Sequence, residues 1–236
     1  MRKYLVIGNP INHSLSPKIH NHWLKENRIN ATYDKLKVEN KEIKGLIQDI
    51  KQKKIAGCNV TVPFKKAVIP YLDELSLEAE KTQSVNTIVL KNNTLIGHNT
   101  DISGFTRAIK DLNFNIKNKR VFILGAGGVV PSIIFALSKM EVSKIIISNR
   151  TRQKAENLRM QFNNLHILDW GKEEDFDVII NATSLGLNNE EINLNYSNFG
   201  KDKLFYDVIY NPSETKFLKE GKRLGNKVEN GRLMFV

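Results

Sequence analysis

Two lysines follow the short apolar segment Asn59–Val62, at the point where a β-strand would end. The β-branched residues favour a strand, and Pro63 ends it because proline has no N–H to donate to a neighbouring strand. In a parallel sheet, Lys65 and Lys66 would then lie at the carboxyl edge, where α/β proteins bind small molecules. A lysine near a carboxylate and an anionic substrate stays charged and can donate a proton to a carbonyl oxygen. The alternative is that both lysines are simply solvated.

A glycine-rich loop is the second candidate for chemistry. It lies between the apolar run Arg120–Leu124 and the helical run Val130–Met140. A strand, glycines and a helix in this order are typical of dinucleotide-binding folds, in which the backbone approaches a pyrophosphate at the helix N-terminus. An ordinary tight turn is the alternative. The residues predicted to bind a dinucleotide are Gly125, Ala126, Gly127 and Gly128.

The end of the next predicted strand indicates which nicotinamide cofactor would bind. An NAD-binding fold usually has an acidic residue there for the ribose hydroxyls, whereas this chain has Asn149, Arg150 and Thr151. A guanidinium group can hydrogen-bond a 2′-phosphate and cover the adenine. The sequence therefore predicts NADP rather than NAD, with a solvent-facing basic turn as the alternative.

Alternating strand-like and helical runs position these groups, and they predict an α/β fold with a mainly parallel sheet. The strand–helix cycle restarts near Asn99–Gly104, which we take as the boundary between two domains. The turn residues Asn92-Asn93 predict a hairpin. The predicted strands are Lys3–Ile7, Ala31–Val38, Asn59–Val62, Thr87–Leu90, Thr94–Gly97, Arg120–Leu124, Ile145–Ser148, Val178–Asn181 and Leu204–Val208. The predicted helices are one with Ser16 as N-cap and Pro17 as its first residue, Lys41–Gln52, Asp73–Lys81, Asp101–Asp111, Val130–Met140 and Arg152–Phe162.

Composition argues against several classes of protein. No apolar run in the 236 residues approaches the roughly 20 that a membrane helix needs, and the apolar run at the N-terminus is too short for a signal peptide. The single cysteine, Cys58, fits a reducing compartment, so we predict a cytoplasmic protein. The net charge of +11 comes from scattered, mostly lysine residues without interleaved aromatics. This pattern favours anionic small molecules over nucleic acid. The five histidines form no metal-ligand pattern.

The motifs, taken in order, resemble those of the shikimate dehydrogenases, NADP-dependent enzymes that reduce 3-dehydroshikimate to shikimate in chorismate and aromatic amino-acid biosynthesis. The resemblance extends from residue 4 to the C-terminus. The matching segments are G-N-P-I-N-H-S-L-S-P-K-I-H-N (Gly8–Asn21), N-V-T-V-P-F-K (Asn59–Lys65), S-V-N-T (Ser84–Thr87), G-H-N-T-D-I-S-G-F (Gly97–Phe105), G-A-G-G (Gly125–Gly128), N-R-T (Asn149–Thr151), N-A-T-S-L-G (Asn181–Gly186) and D-V-I-Y-N-P (Asp207–Pro212).

The resemblance implies a substrate-binding catalytic domain over residues 1–100 and a Rossmann-type NADP-binding domain over residues 101–236, in a monomer or homodimer. It implies that Lys65 and Asp101 form a catalytic acid–base pair beside the reacting hydroxyl. The hydroxyls of Ser14 and Ser16 would bind the substrate carboxylate, and Tyr210 would reach the substrate from the second domain. The residues implied to hold the ring hydroxyls, besides Asp101, are Asn59, Thr61 and Asn86. The residues implied to line the nicotinamide side are Asn181, Thr183 and Ser184.

Two alternatives to this function stay open. One is a quinate/shikimate dehydrogenase that uses NAD, and the other is a non-catalytic NADP-binding protein. Members of the family usually continue past the segment that corresponds to Gly231–Val236, with a glutamine that contacts substrate and helices that return to the first domain. From this pattern we expect a strand-like tail at Gly231–Val236 and weaker substrate binding.

Overall fold

The computed structural model describes residues 1–188 and 190–236. The chain divides into two compact units, Met1–Thr100 and Asp101–Val236. Each unit contains one six-stranded sheet with helices packed on it. Among the described residues, no helix combines the length and the apolar character needed to cross a bilayer.

The sheet of the first unit has the strand order β2-β1-β3-β5-β6-β4. β1 pairs in parallel with β2 and β3, and β4 with β6, whereas β5 is antiparallel to β3 and β6. The predicted β5–β6 hairpin is confirmed, and Asn92 and Asn93 form its turn with φ of 49° and 64°. The commonest two-residue hairpin turn needs a positive φ at both residues, which asparagine tolerates. The strands are β1 (Arg2–Gly8), β2 (Ala31–Lys37), β3 (Gly57–Val60), β4 (Glu74–Leu75), β5 (Thr87–Lys91) and β6 (Thr94–His98).

The two faces of this sheet carry different amounts of apolar packing. Leu5 and Ile7 of β1 point to the face covered by the helix α2 (Ile43–Lys51), whose four buried aliphatic side chains recur at helical spacing. Each such side chain contributes about 1.5–3 kcal/mol when fully buried. Val6 points to the other face, under α1 (Ser16–Glu26), which buries no side chain completely. The third helix of this unit is α3 (Leu77–Thr82).

The sheet of the second unit is entirely parallel, with the order β12-β11-β10-β7-β8-β9. Numbered from β7, this is the 3-2-1-4-5-6 order of the Rossmann fold, which confirms the predicted fold. The strands are β7 (Arg120–Leu124), β8 (Lys144–Ser148), β9 (Leu165–Leu168), β10 (Val178–Asn181), β11 (Leu204–Asp207) and β12 (Lys227–Glu229). The helices are α4 (Asp101–Asp111), α5 (Val130–Lys139), α6 (Arg152–Gln161), α7 (Lys216–Arg223) and α8 (Arg232–Phe235).

Several predicted boundaries were wrong in the first unit. β3 ends at Val60, not Val62, because the N–H of Phe64 already bonds to Thr61 in a turn. Ser16 is the first helical residue rather than the N-cap, since the helix begins with a bond from the Ile19 N–H to the carbonyl of Leu15. The predicted helix over residues 73–81 is divided between β4 and α3, because Ser76 caps α3 by accepting a bond from the Ala79 N–H.

The C-terminal segment is helical, which corrects the predicted strand-like tail. The N–H of Phe235 bonds to the carbonyl of Gly231, and this turn forms α8. α8 packs on α4 so closely that a Cβ on Gly104 would lie 2.6 Å from the carbonyl oxygen of Met234. Glycine at position 104 therefore permits the contact between the two helices.

Candidate functional site

In the first unit, the predicted substrate residues gather at one edge of the sheet. β1 and β3 are parallel and end at this edge. β5 begins there because it is antiparallel to β3, and β6 ends there because it is antiparallel to β5. The loops after β1, β3 and β6 and the residues before β5 consequently meet. Asn59 lies at the end of β3. The loops and the segment before β5 contribute Ser14, Thr61, Lys65, Asn86 and Thr100.

Asn59 connects three strands at this edge. Its Nδ2 donates to the carbonyl oxygen of Asn86 at 3.2 Å and to Oγ1 of Thr87 at 3.0 Å. Its Oδ1 accepts a 2.6 Å hydrogen bond from the hydroxyl of Tyr33. Both N–H bonds of Nδ2 are thus used within the protein. Asn59 therefore helps to hold this edge of the sheet together, in addition to the substrate contact that we predict for it.

Asn86 is held by Thr100, the second residue after β6. Its Nδ2 donates to Oγ1 of Thr100 at 2.9 Å, and its Oδ1 accepts from the Thr100 N–H at 3.0 Å. The side chain of Asn86 is therefore fixed at both ends of its amide. This arrangement determines the position of Thr100, which immediately precedes Asp101.

The two predicted carboxylate-binding serines lie before and at the start of α1. Oγ of Ser14 accepts a bond of 3.3 Å from the Ser16 N–H, and both residues are half-buried. The side chain of Ser16 is close enough to Tyr33 to lower the pKa of its hydroxyl, against the larger effect of burial, which raises it. Ser16 and Asn59 thus both lie near the hydroxyl of Tyr33.

Lys65 is buried, with 9% of its surface exposed, whereas Lys66 is exposed. The loop that carries Lys65 is tied to the segment before β5 by a 2.9 Å bond from the Val85 N–H to the Lys65 carbonyl. Thr61 begins this loop, and its N–H bonds to Ile7 of β1. Asp101 is the first residue of α4 and half-buried. The acid–base pairing of Lys65 with Asp101 stays a prediction.

The nearby cysteine has no features of a nucleophile. Cys58 is buried in β3, and burial raises the pKa of its thiol to about 12. The thiol is therefore protonated near neutral pH, and Cys58 packs as a small apolar residue.

In the second unit, the glycine loop joins β7 to α5 as predicted from the sequence. Gly125 has a φ of +108°, and a Cβ there would lie 2.7 Å from the carbonyl oxygen of Ala182. Gly125 therefore allows both the turn and the close approach of the loop after β10. Gly127 and Gly128 are exposed, and Ala126 is half-buried. The binding of a pyrophosphate by this loop at the start of α5 stays a prediction.

Two arginines after β8 differ in their availability to a ligand. Arg152 forms ion pairs with Glu156, at 3.2 Å, and with Asp169. Within residues 1–188 and 190–236, the exposed side chain of Arg150 makes no hydrogen bond or ion pair. Asn149 donates from Nδ2 to the carbonyl of Thr151 at 2.8 Å, which shapes the turn. Arg150 is thus the arginine that a 2′-phosphate could engage without breaking an existing pair.

The loop after β10 is organised by a buried polar network. Asn181 is fully buried, and its Nδ2 donates to the carboxylate of Asp207 and to the carbonyl of Leu185, at 3.0 and 3.1 Å. Its Oδ1 accepts from the N–H and the hydroxyl of Thr183, at 3.0 and 2.7 Å. Ser184 follows and is exposed. These bonds shape the loop that we predict to line the nicotinamide. Asn181, the last residue of β10, holds this loop from the interior of the unit.

Tyr210 lies in the loop after β11. Its ring stacks on that of Phe235 in α8, with centroids 4.3 Å apart and an angle of 19° between the planes. The loop is held near α8 by a bond from the Gly231 N–H to the carbonyl of Ile209. The predicted contact of Tyr210 with substrate stays a prediction.

In each unit, residues that the sequence analysis missed support the predicted site residues. Tyr33 and Phe235 are apolar in pattern and give no signal of a functional position, and Thr215 resembles an ordinary helix N-cap. His20 and Asn21 belong to a motif of the first loop, but their types alone do not predict a contact. Each becomes recognisable only when strand pairing and helix packing are known.

Comparisons with known proteins agree with this geometry. A family model described as the shikimate dehydrogenase substrate binding domain matches residues 6–88, and one described as shikimate / quinate 5-dehydrogenase matches residues 107–207. The shikimate dehydrogenase (NADP(+)) of Pelagibacter ubique is 56% identical over 236 residues, which are 100% of this chain and 89% of that protein.

Two solved structures are similar over the whole chain. Shikimate 5-dehydrogenase from Thermus thermophilus, in complex with NADP(H) and shikimate, has a TM-score of 0.90 and 31% identity, and covers 100% of this chain and 89% of its own. Shikimate 5-dehydrogenase from Listeria monocytogenes, in complex with shikimate and NAD, has a TM-score of 0.90 and 29% identity, and covers 100% and 88%. Together with the 56% identity to the curated relative, these matches show that this chain belongs to the shikimate dehydrogenase family.

Proposed function

We propose that this chain is an NADP-dependent shikimate dehydrogenase, which interconverts shikimate and 3-dehydroshikimate. The observation that carries the proposal is the placement of Lys65, a buried lysine, in the loop after β3, at the sheet edge shared with Asn59 and Asn86. The proteins named above that have shikimate bound support the substrate assignment. Short polar side chains at strand ends suit a polyol because they offer fixed donors and acceptors.

The proposed chemistry requires a proton to leave or join the oxygen that is oxidised or reduced. When bound, the nicotinamide accepts or supplies the hydride. We assign the proton transfer to Lys65 and Asp101. Ser14 and Ser16 bind the carboxylate, and Asn59, Thr61 and Asn86 orient the ring hydroxyls, with Tyr210 as a further contact from the second unit. In this assignment residues 1–100 bind substrate and residues 101–236 bind NADP, which the two family matches support.

The cofactor assignment rests on Arg150. Its guanidinium, which has no partner among the described residues, follows β8 and can bind a 2′-phosphate, whereas the turn Asn149–Thr151 has no acidic residue to bind the ribose hydroxyls of NAD. The structure from Listeria monocytogenes with NAD bound makes NAD the competing cofactor. Gly125, Ala126, Gly127 and Gly128 approach the pyrophosphate, and Asn149 and Thr151 complete the turn around Arg150. Thr183 and Ser184 line the nicotinamide, and Asn181 holds their loop.

A spectrophotometric assay at neutral pH tests the proposal, with shikimate or quinate as substrate and NADP⁺ or NAD⁺ as oxidant. We expect the highest kcat/KM with shikimate and NADP⁺. A higher value with quinate or NAD⁺ would favour the quinate/shikimate alternative. No turnover in any of the four combinations, with NADPH still binding, would favour the non-catalytic alternative. A cytoplasmic location and a monomeric or homodimeric state are further proposals, for cell fractionation and gel filtration to test.

A further inference from the structure

We propose that Tyr33 is a positioning residue for the substrate site, acting through the amide of Asn59. Tyr33 lies in β2, with only 4% of its surface exposed. Its hydroxyl donates a 2.6 Å hydrogen bond to Oδ1 of Asn59. The inference rests on the proposed function, since it assigns a role in binding shikimate.

The bond from Tyr33 sets which way the Asn59 amide faces. Because Oδ1 accepts from Tyr33, Nδ2 points to the carbonyl of Asn86 and to Oγ1 of Thr87. Oγ1 of Thr87 in turn lies 3.1 Å from Oδ1 of Asn86, to which it donates. Asn86 then donates to Thr100. The side-chain donors are therefore aligned in one direction from Tyr33 to Asn86, and a rotated Asn59 amide would place its oxygen against the carbonyl oxygen of Asn86, two acceptors facing each other.

Two residues of α1 hold Tyr33 in this position. The ring of His20 stacks on the ring of Tyr33, with centroids 4.1 Å apart and planes 10° from parallel. Asn21 bonds to both backbone groups of Tyr33, accepting from its N–H at 3.0 Å and donating to its carbonyl at 2.7 Å. Because Ser16 begins the same helix, these contacts also fix Ser16 relative to Tyr33. They explain the presence of His20 and Asn21, to which no other role has been assigned.

The ionisation of these groups is consistent with the arrangement. Burial raises the pKa of Tyr33, so the hydroxyl stays a donor at neutral pH. Burial also lowers the pKa of His20, so the stacked imidazole stays neutral.

The test is Tyr33→Phe, which keeps the stacked ring and removes only the hydroxyl. Losing one hydrogen bond of this kind should raise KM for shikimate roughly 2- to 12-fold. KM for NADP⁺ should not change, since the dinucleotide-binding motifs lie in the other unit. Tyr71→Phe, which alters a tyrosine that is 40% exposed, is the matched control and should behave like the wild type. A rise in KM for both ligands, or a lower melting temperature with unchanged KM, would mean a merely structural role and overturn the inference.

A double-variant cycle tests whether Tyr33 acts through Asn59. In an Asn59→Ala background, or Asn59→Ser if the alanine variant does not fold, adding Tyr33→Phe should raise KM for shikimate by less than about twofold. If the effects of the two single variants on KM for shikimate instead multiply in the double variant, the inference is overturned. Unchanged kinetics of Tyr33→Phe in an active enzyme would also overturn it and leave the proposed function intact. A wild-type chain that does not turn over shikimate would instead overturn the proposed function, and with it any role of Tyr33 in binding shikimate.

Discussion

The carboxylate of Asp207 accepts a 2.6 Å hydrogen bond from the hydroxyl of Thr215, and both side chains lie in the interior of the second unit. The other carboxylate oxygen accepts from Nδ2 of Asn181 and from the N–H of Ile209, each at 3.0 Å. Oγ1 of Thr215 also caps α7 by accepting a bond from the Leu218 N–H. One buried carboxylate thus joins the end of β10, the loop that carries Tyr210 and the start of α7.

Thr215→Val should destabilise the second unit. It preserves the shape of the side chain but removes one donor from a buried carboxylate, and an unsatisfied buried group costs about 1–3 kcal/mol. Thr215→Ser, which keeps the hydroxyl, is the control, and its free energy of unfolding should fall by less than that of Thr215→Val. Urea unfolding of the three proteins measures the free energies. A Thr215→Val protein as stable as the wild type, with the loss confined to Thr215→Ser, would show that the methyl group matters and the hydrogen bond does not.

The stability of the protein should depend on the ionisation of Asp207. Burial raises the pKa of Asp207 from its ordinary 3.8 to about 6, although its three donors lower it. The folded state therefore binds more protons than the unfolded state between these values, and the contribution of Asp207 to stability falls as pH rises from about 4 to 6. The nearby Tyr196 and Tyr206, whose pKa values burial raises, stay neutral in this window.

Asp207→Asn is the variant that isolates this effect. The unfolding free energy of the wild type, measured relative to this variant, should fall by up to about 3 kcal/mol between pH 4 and pH 6 and stay level above that range. Denaturant titrations at several pH values provide the measurement. A difference that is flat with pH would contradict the raised pKa.

Lys65→Ala should lower turnover by about 100-fold or more, the usual effect of removing a positioned acid–base group. The affinity for NADPH should stay nearly unchanged, because Lys65 belongs to the unit without the glycine loop. Lys66→Ala is the matched control, since Lys66 is adjacent and exposed, and it should retain wild-type turnover. If the two variants have equal kcat, Lys65 is a lysine without a catalytic role.

Arg150→Ala should reduce the preference for NADP over NAD, which we expect to be at least about tenfold in the wild type, or about 1.4 kcal/mol. Arg152→Ala should leave that preference unchanged, because Asp169 and Glu156 already occupy the guanidinium. Fluorescence titration with NADPH and NADH measures both ratios. A larger effect from Arg152 would mean that its ion pairs open when the cofactor binds.

Local signals in the sequence predicted much of the second unit. The bounds of β7 and α4 match the predicted ranges, because an unbroken apolar run followed by glycines and an amphipathic run of three turns are both complete within a short segment. α8 was predicted as a strand because its residues are apolar, whereas its backbone bonds and its contact with Gly104 form a turn of helix. Tertiary packing decides such short segments, and local propensity does not.

From the sequence, the candidate site could be predicted only where a residue type itself indicates a chemical function. Lys65, Arg150 and the glycine loop have side chains or backbones with a recognisable function. The link from Tyr33 to Asn59 joins residues 26 positions apart, and it exists only because β2 and β3 both pair with β1. The bond from Thr215 to Asp207 likewise depends on where α7 begins relative to β11. No periodicity or spacing contains that information.

Because the side chain of Arg150 is exposed, the preference for NADP over NAD should depend on the salt concentration. An ion pair between this guanidinium and a 2′-phosphate forms in contact with water, so dissolved ions screen it. The Debye length falls from about 30 Å at 0.01 M salt to about 3 Å at 1 M. NAD has no 2′-phosphate and does not form this pair, so its affinity changes less over the same range. The discrimination between the two cofactors should accordingly narrow as ionic strength rises, while the buried hydrogen bonds of Asn181, shielded from counter-ions, stay the same.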